Sequence, residues 1–273
     1  MKGSYFSLAY RKASSAWNRL SLTLAVAAWP LLFCCARCTA QTAELHIAAA
    51  ADLEPVLPVL ERQYEQATGV KIIASYGSSA ALTEQILNGD PQDVFLSADE
   101  AHPQRLVNAG LADEPHPMAY ARGVLVLWAR RDSPAQPLSL NVLTSPSVRK
   151  IAIANALHAP YGVAARQALE NLHLYAQLAP KLAIAENIGQ TAEFAESGNA
   201  QAAFISLTIA RSAHDRALGS FIRLPAGSYQ PIRQCAIVLR SSRNRSQAQG
   251  FLQWLTSKSV QQSLPGFGLD PAN

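Results

Sequence analysis

Apolar residues in this chain fall into short runs that alternate with stretches of helical spacing. The run Leu45-His46-Ile47-Ala48-Ala49-Ala50-Ala51 stops at Asp52, which predicts a strand buried on both faces. Leu53, Val56, Leu57, Leu60 and Tyr64 then recur at helical spacing up to Gly69, which predicts a helix closed by a glycine. Lys71 to Ser75 is strand-like, and Tyr76-Gly77-Ser78-Ser79 leads into a predicted helix from Ala80 to Asn88, closed by Gly89. Asp93 to Asp99 is the third strand. Two small polar turns therefore fall on the same edge of a predicted parallel sheet. There, helix N-termini present backbone N–H groups that suit an anion.

The alternation continues. Glu100 to Ala109 reads as a helix ended by Gly110, and Asp113 to Pro117 as a polar connector. Arg122 to Trp128 reads as one strand that carries the chain into a second lobe. Lys150 to Asn155 is a strand, followed by His158-Ala159-Pro160-Tyr161-Gly162 and a helix from Val163 to Leu174. Lys181 to Ala185 is a strand ending at Glu186-Asn187-Ile188-Gly189, with a helix from about Thr191 to Glu196. Gln201 to Leu207 is a strand followed by a short helix to His214, and Phe221 to Leu224 is strand-like. Pro225 to Pro231 reads as the return crossing. Cys235 to Leu239 and a helix from Ser246 to Leu264 complete the first lobe. Strands alternating with helices in both halves predict two α/β lobes with a ligand cleft between them. Residues 41–121 and 231–273 form the first lobe and residues 122–230 the second, with hinges near Ala121–Gly123 and Ala226–Pro231.

The first forty residues stand apart. Lys2, Arg11, Lys12 and Arg19 precede an apolar stretch from Leu20 to Cys35, and Cys38-Thr39-Ala40 offers a cleavage site before Gln41. This is the pattern of a secretory signal peptide covering residues 1–40. Its removal changes the charge: five of the 23 Lys and Arg lie there and none of the 19 Asp and Glu, which leaves 18 against 19. The apparent basicity belongs to the leader, and no basic face for nucleic acid is evident. Cys34, Cys35 and Cys38 leave with it. Cys235 then stands alone in an apolar run, a buried strand residue with no disulfide partner and no cysteine metal site.

The stretch IAAAADLEPVLPVLERQYEQATGVKIIASYGSSAALTEQILNGDPQDVFLSAD resembles the N-terminal lobe of the periplasmic molybdate-binding proteins of ABC transporters. The shared features are an Ala-rich strand end, Gly-Val before the second strand, a Ser-Ser turn and a D-[VL]-F-[IL]-S-A-D strand. A thinner likeness continues to the C-terminus. The resemblance implies a two-lobe periplasmic binding protein of the type II fold, a mixed α/β architecture. Its ligand would be molybdate, with tungstate alongside, and its partner an inner-membrane ABC permease. It implies a monomer that needs no cofactor and binds no nucleic acid.

The resemblance also assigns residues. Ser79 matches the family's binding serine, with Ser78 beside it; Tyr161 matches a second-lobe residue donating from a helix start, and Ile188 one that gives a backbone N–H. Ser206 aligns with a tyrosine in some relatives, and its hydroxyl is a candidate donor. On the residues alone, Ser78 and Ser79 read equally well as helix caps, and Tyr161 as packing.

Asp52 departs from the family, where Ser or Thr meets the anion at this turn. A carboxylate about 4 Å from a dianion would cost roughly 8 kcal/mol at an effective dielectric near 20. The favoured expectation is that Asp52 caps the following helix while backbone N–H groups at Asp52 and Leu53 bind the ion; direct coordination of the metal by the carboxylate is the alternative.

Signatures of catalysis are poor. The chain has no G-x-S-x-G elbow, no Walker-type loop and no H-E-x-x-H, and its six histidines lack metal-ligand spacing. His158 lies close enough to the second-lobe turn to be considered as an anion contact. Two other readings stay open: a binding protein for sulfate, phosphate or phosphonate, kept alive by Asp52, and a secreted hydrolase using Ser78 or Ser79, which needs a histidine base. The export signal and the lack of a DNA-binding segment argue against a regulator's sensing domain.

Overall fold

The computed structural model describes residues 44–272; the expected signal peptide, residues 1–40 with Cys34, Cys35 and Cys38, lies outside them. The first strand, β1 (Glu44–Ala50), runs into a 3-10 turn (Ala51–Leu53) before α1 (Leu57–Thr68). The sequence predicts this helix from Leu53, and the apolar stripe is where expected: Leu53, Val56, Leu57, Leu60 and Tyr64 are all buried. The backbone, however, starts its α-helix four residues later. Pro58 has no N–H to give the carbonyl of Glu54, so the α ladder cannot begin earlier. β2 (Lys71–Gly77), α2 (Ser79–Leu87), β3 (Val94–Ser97) and α3 (Ala101–Asn108) follow close to their expected places.

The next segment corrects the sequence reading. Arg122 to Trp128 is not one strand. β4 (Met118–Gly123) and β5 (Leu125–Arg130) are separated at Val124 and belong to different sheets. From Gly123 onward the residues on both sides of the crossing are apolar and buried, so hydrophobicity alone does not mark the break.

The second half contains β6 (Ile151–Ala154), α4 (Pro160–Asn171), α5 (Tyr175–Leu178), β7 (Leu182–Ala185), α6 (Ile188–Glu196) and β8 (Ala202–Ser206). α7 (Leu207–Ala210), α8 (Ala213–Leu218) and β9 (Gly219–Arg223) complete it. α4 begins three residues before the expected Val163, because Pro160 fills the first helical position, where a missing N–H costs nothing. Gly162 is needed at that start: a Cβ there would lie 2.3 Å from the Ala154 carbonyl oxygen, so only glycine lets α4 approach β6 this closely. The chain returns through β10 (Ile232–Val238), then α9 (Arg245–Leu255), α10 (Lys258–Phe267) and β11 (Asp270–Pro271). The single helix expected from Ser246 to Leu264 is thus two, divided at Thr256–Ser257.

Two mixed sheets result. The first has the order β11-β4-β10-β3-β1-β2 and the second β7-β6-β8-β5-β9. β1 runs parallel to β2 and β3, while β10 is antiparallel to β3 and β4. β6 runs parallel to β7 and β8, and β5 antiparallel to β8 and β9. The chain passes between sheets at Val124 and again between Arg223 and Ile232. Each sheet buries both faces. Phe95, Leu106 and Ile237 fill one side of the first, and Leu57, Phe251 and Leu264 the other; Trp128, Phe204 and Ile153 lie in the core of the second. Ala50, Ala51 and Ala98, from the first half, join that second core. Their small side chains let the two halves meet closely.

Candidate functional site

The carboxyl ends of β1, β2 and β3 face those of β6 and β7, and the loops after them enclose a small cavity. It offers about 10 Å³ to the centre of a water-sized body. Ala50, Ala51 and Asp52 line it from the first turn, Gly77, Ser78 and Ser79 from the second, and Ala98 from the end of β3. The other half contributes Ala159, Pro160, Tyr161, Asn187 and Ile188. Three helices of nine or more residues, α2, α4 and α6, begin at this wall. Each helix start carries N–H groups without an intrahelical partner and the positive end of the helix dipole.

The caps decide which donors remain. Ser78 Oγ accepts from Ala81 N–H at 3.2 Å, and Asn187 Oδ1 accepts from Gln190 N–H at 3.0 Å. Both caps satisfy the third helical N–H and leave the first, those of Ser79 and Ile188, free of any intrahelical acceptor. Ala159 gives α4 no side-chain cap, so the N–H of Tyr161 is likewise uncapped. Ser79 Oγ accepts from Ala98 N–H at 3.2 Å, which ties α2 to the end of β3. A hydroxyl that accepts through a lone pair still has its O–H to donate. Ser78 and Ser79 are therefore caps or ties and potential donors together. A backbone bond crosses the wall, from Ala80 N–H to the His158 carbonyl at 3.2 Å.

Asp52 does not cap a helix, contrary to the sequence expectation. Its carboxylate is fully buried and turned across the cleft: Oδ2 accepts from Tyr161 Oη–H at 3.0 Å and from Gln234 Nε2–H at 2.5 Å. Gln234 Nε2 also donates to Tyr161 Oη at 3.2 Å, closing a three-residue ring. Asp52 Oδ1 has no partner among the described residues. Burial raises its carboxyl from the ordinary 3.8 to about 6, and the bonds from Gln234 and Tyr161 oppose that rise. The hydroxyl of Tyr161, expected to donate to a ligand, is engaged by Asp52 and held well above its usual pKa by burial.

Ser206 is brought near this ring but does not line the cavity. Thr208 Oγ1 donates to the Asp52 carbonyl at 2.7 Å, so the 2.7 Å contact between the two hydroxyls uses the hydrogen of Ser206. Ser206 Oγ also accepts from Ile209 N–H. Its hydroxyl is spent inside the protein. His158 contributes its carbonyl to the crossing, while its ring pairs with Glu186 at 2.5 Å. No histidine among the described residues bonds to Ser78 or Ser79.

Sequence reasoning missed Gln234 and Tyr120, and named Gly123 only within a hinge, although a Cβ there would lie 2.3 Å from Tyr161 Oη. β4 carries an extra residue, Tyr120, where its register with β10 shifts between Gln234 and Cys235. A bulge of this kind redirects side chains. The available signal was a neutral amide inside an apolar strand. Cys235, by contrast, is a free buried thiol as expected, pushed up to about 12 by burial.

The family of bacterial extracellular solute-binding proteins matches residues 45–270. The molybdate-binding protein ModA of Azotobacter vinelandii is 32% identical over 231 residues, 85% of this chain and 91% of its own. This chain belongs to the ModA family. ModA of Rhodobacter capsulatus is 30% identical over 84% of this chain and 89% of its own. Among solved structures, the periplasmic molybdate-binding protein of A. vinelandii superposes with a TM-score of 0.74, covering 82% of this chain and 98% of that one. As a ModA-family member the chain has the two-sheet α/β fold of a periplasmic binding protein, and its cavity lies where the loops of both sheets meet.

Proposed function

We propose that this protein captures molybdate, and tungstate with it, in the cavity between its two sheets and delivers the ion to an ABC permease. Residues 1–40 direct it out of the cytoplasm and are removed, and it works as a monomer without a cofactor. It binds its cargo and performs no chemistry on it.

The observation that carries this reading is a wall of neutral donors at three converging helix starts. A tetrahedral dianion is stabilised by such N–H and O–H groups together with the helix dipoles, with no need of Lys or Arg. The proposed donors are the hydroxyls of Ser78 and Ser79 and the N–H groups at Asp52, Ser79, Tyr161 and Ile188. All of them address the ion's oxygens rather than the metal. Ser206 is left out, because its hydroxyl is already used. Rotation at Val124 and at the 224–231 crossing opens the wall to admit the ion.

Titration calorimetry of the purified protein with molybdate, tungstate, sulfate and phosphate tests the reading. Tight one-to-one binding of the first two with little heat from the others supports it. A preference for sulfate or phosphate overturns the cargo and leaves the fold.

A further inference from the structure

Asp52 is a carboxyl group in the wall of a cavity assigned above to a dianion, and its geometry resolves the conflict. Both oxygens are sealed from solvent. Oδ2 accepts two hydrogen bonds, from Tyr161 Oη at 3.0 Å and Gln234 Nε2 at 2.5 Å. Oδ1 has no partner among the described residues, although Asp52 lines the cavity beside Ser79, Tyr161 and Ile188. A buried polar atom without a partner is costly, and a residue that lines the cavity is offered one when an ion enters. If the group is ionised, that atom repels an oxyanion. If it is neutral, the proton belongs on Oδ1, since Oδ2 is already accepting twice.

We propose that Asp52 meets the bound oxyanion as a neutral carboxylic acid, its Oδ1–H donating to one oxygen of the ion, so that each ion enters with one proton. This rests on the oxyanion reading of the cavity. The proton comes from solvent and stays on Oδ1; no bond of the anion is broken.

Burial favours the neutral form, while the hydrogen bonds from Gln234, Tyr161 and the backbone, with the helix starts at this wall, favour the charged one. The titratable groups facing Asp52 are the Tyr161 hydroxyl on α4 and the Tyr120 hydroxyl on β4, both kept protonated by burial. β10 presents the neutral amide of Gln234, α2 the hydroxyls of Ser78 and Ser79, and α6 Asn187 and Ile188. Thr208, from α7, bonds its carbonyl. On its own segment Glu54 is exposed, and no Lys, Arg or His among the described residues bonds to its carboxylate. Burial already lifts the carboxyl to about 6, and a dianion alongside lifts it further. A carboxylic acid kept neutral by an apolar site to serve as a donor is an established device in other active sites.

The test is calorimetry with molybdate between about pH 6 and pH 9, at each pH in two buffers of different ionisation heat, on the wild-type protein and Asp52→Asn. The wild type is expected to take up nearly one proton per ion near pH 8, with affinity falling about tenfold per pH unit. Asn keeps a donor without a titrating proton, so Asp52→Asn is expected to bind with a flat profile and no proton uptake. Wild-type binding of molybdate with a flat profile and no uptake overturns the proposal and leaves the molybdate reading intact. A folded Asp52→Asn protein that keeps the falling profile and the proton uptake also overturns it, since the titrating group then lies elsewhere. Failure of molybdate to bind at any pH overturns both readings. Should Asp52→Asn not fold, the wild-type proton count alone decides.

Discussion

The Tyr161 hydroxyl donates to Asp52 Oδ2 at 3.0 Å across the cleft, joining residues 109 apart in sequence. The bond is buried and shared with Gln234, so it holds the two halves together at the cavity wall. Tyr161→Phe keeps the ring and removes the donor. It is expected to cost about 1–3 kcal/mol of stability and to weaken molybdate about tenfold. Because this bond lowers the Asp52 carboxyl, its loss raises that group further above about 6. Urea unfolding and calorimetry check both effects.

Gly123 makes room for that hydroxyl. A Cβ at Gly123 would lie 2.3 Å from Tyr161 Oη and 2.9 Å from Cζ, so Gly123→Ala must displace the ring. Overpacking of this kind costs about 1–3 kcal/mol, and anion affinity is expected to drop with it. Combined with Tyr161→Phe, the loss should be smaller than the sum of the two, because one contact is counted in both. A double-mutant cycle in melting temperature measures this.

Asp52 also makes the unliganded protein sensitive to pH. Its folded-state pKa of about 6 lies above the ordinary 3.8, so between these values the folded protein holds a proton that the unfolded chain has lost. The stability present below pH 4 is therefore lost as pH rises through about 6, roughly 3 kcal/mol in all. Glu196, raised to about 7 by burial near Asp215, acts with the same sign. The comparison that isolates Asp52 is the urea midpoint of wild type against Asp52→Asn at about pH 4.5 and pH 7.5. The variant should gain relative to wild type towards neutral pH. A constant difference would show that Asp52 does not titrate there.

Two serines should separate binding from stability. Ser79 lines the cavity, and Ser79→Ala is expected to weaken molybdate tenfold or more while also removing the acceptor of Ala98 N–H. Ser206 is buried away from the cavity and bonds Thr208 and Ile209. Ser206→Ala should cost about 1–2 kcal/mol of stability and leave affinity nearly unchanged. Parallel calorimetry and unfolding of the two variants decide the matter.

The strands around the cavity were legible because each is a short apolar run ending in a polar turn, as at Ala51-Asp52 and Gly77-Ser78. The resemblance then picked Ser79 and Ile188, which the fold brings to one wall. A hinge was expected near Ala121–Gly123, beside the crossing at Val124, but the division into two strands was hidden, because Gly123 and Val124 are as apolar and buried as the strand that follows. The fate of the Asp52 side chain was hidden for another reason. Its partners Tyr161 and Gln234 lie 109 and 182 residues away, and local capping was the only use that neighbouring residues could suggest. Ser206 looks like a free donor in sequence, and only the contact with Thr208 shows its hydrogen to be used.

The most direct test of an oxyanion held through its oxygens by neutral donors is a crystal structure with molybdate bound, the metal located by its anomalous signal. A tetrahedral ion is expected, with its oxygens within hydrogen-bond distance of Ser79 Oγ and the N–H of Ile188, and with Asp52 reaching an oxygen but not the metal. An ion of higher coordination with Asp52 bound to the metal, or an ion seated outside this wall, would contradict the account.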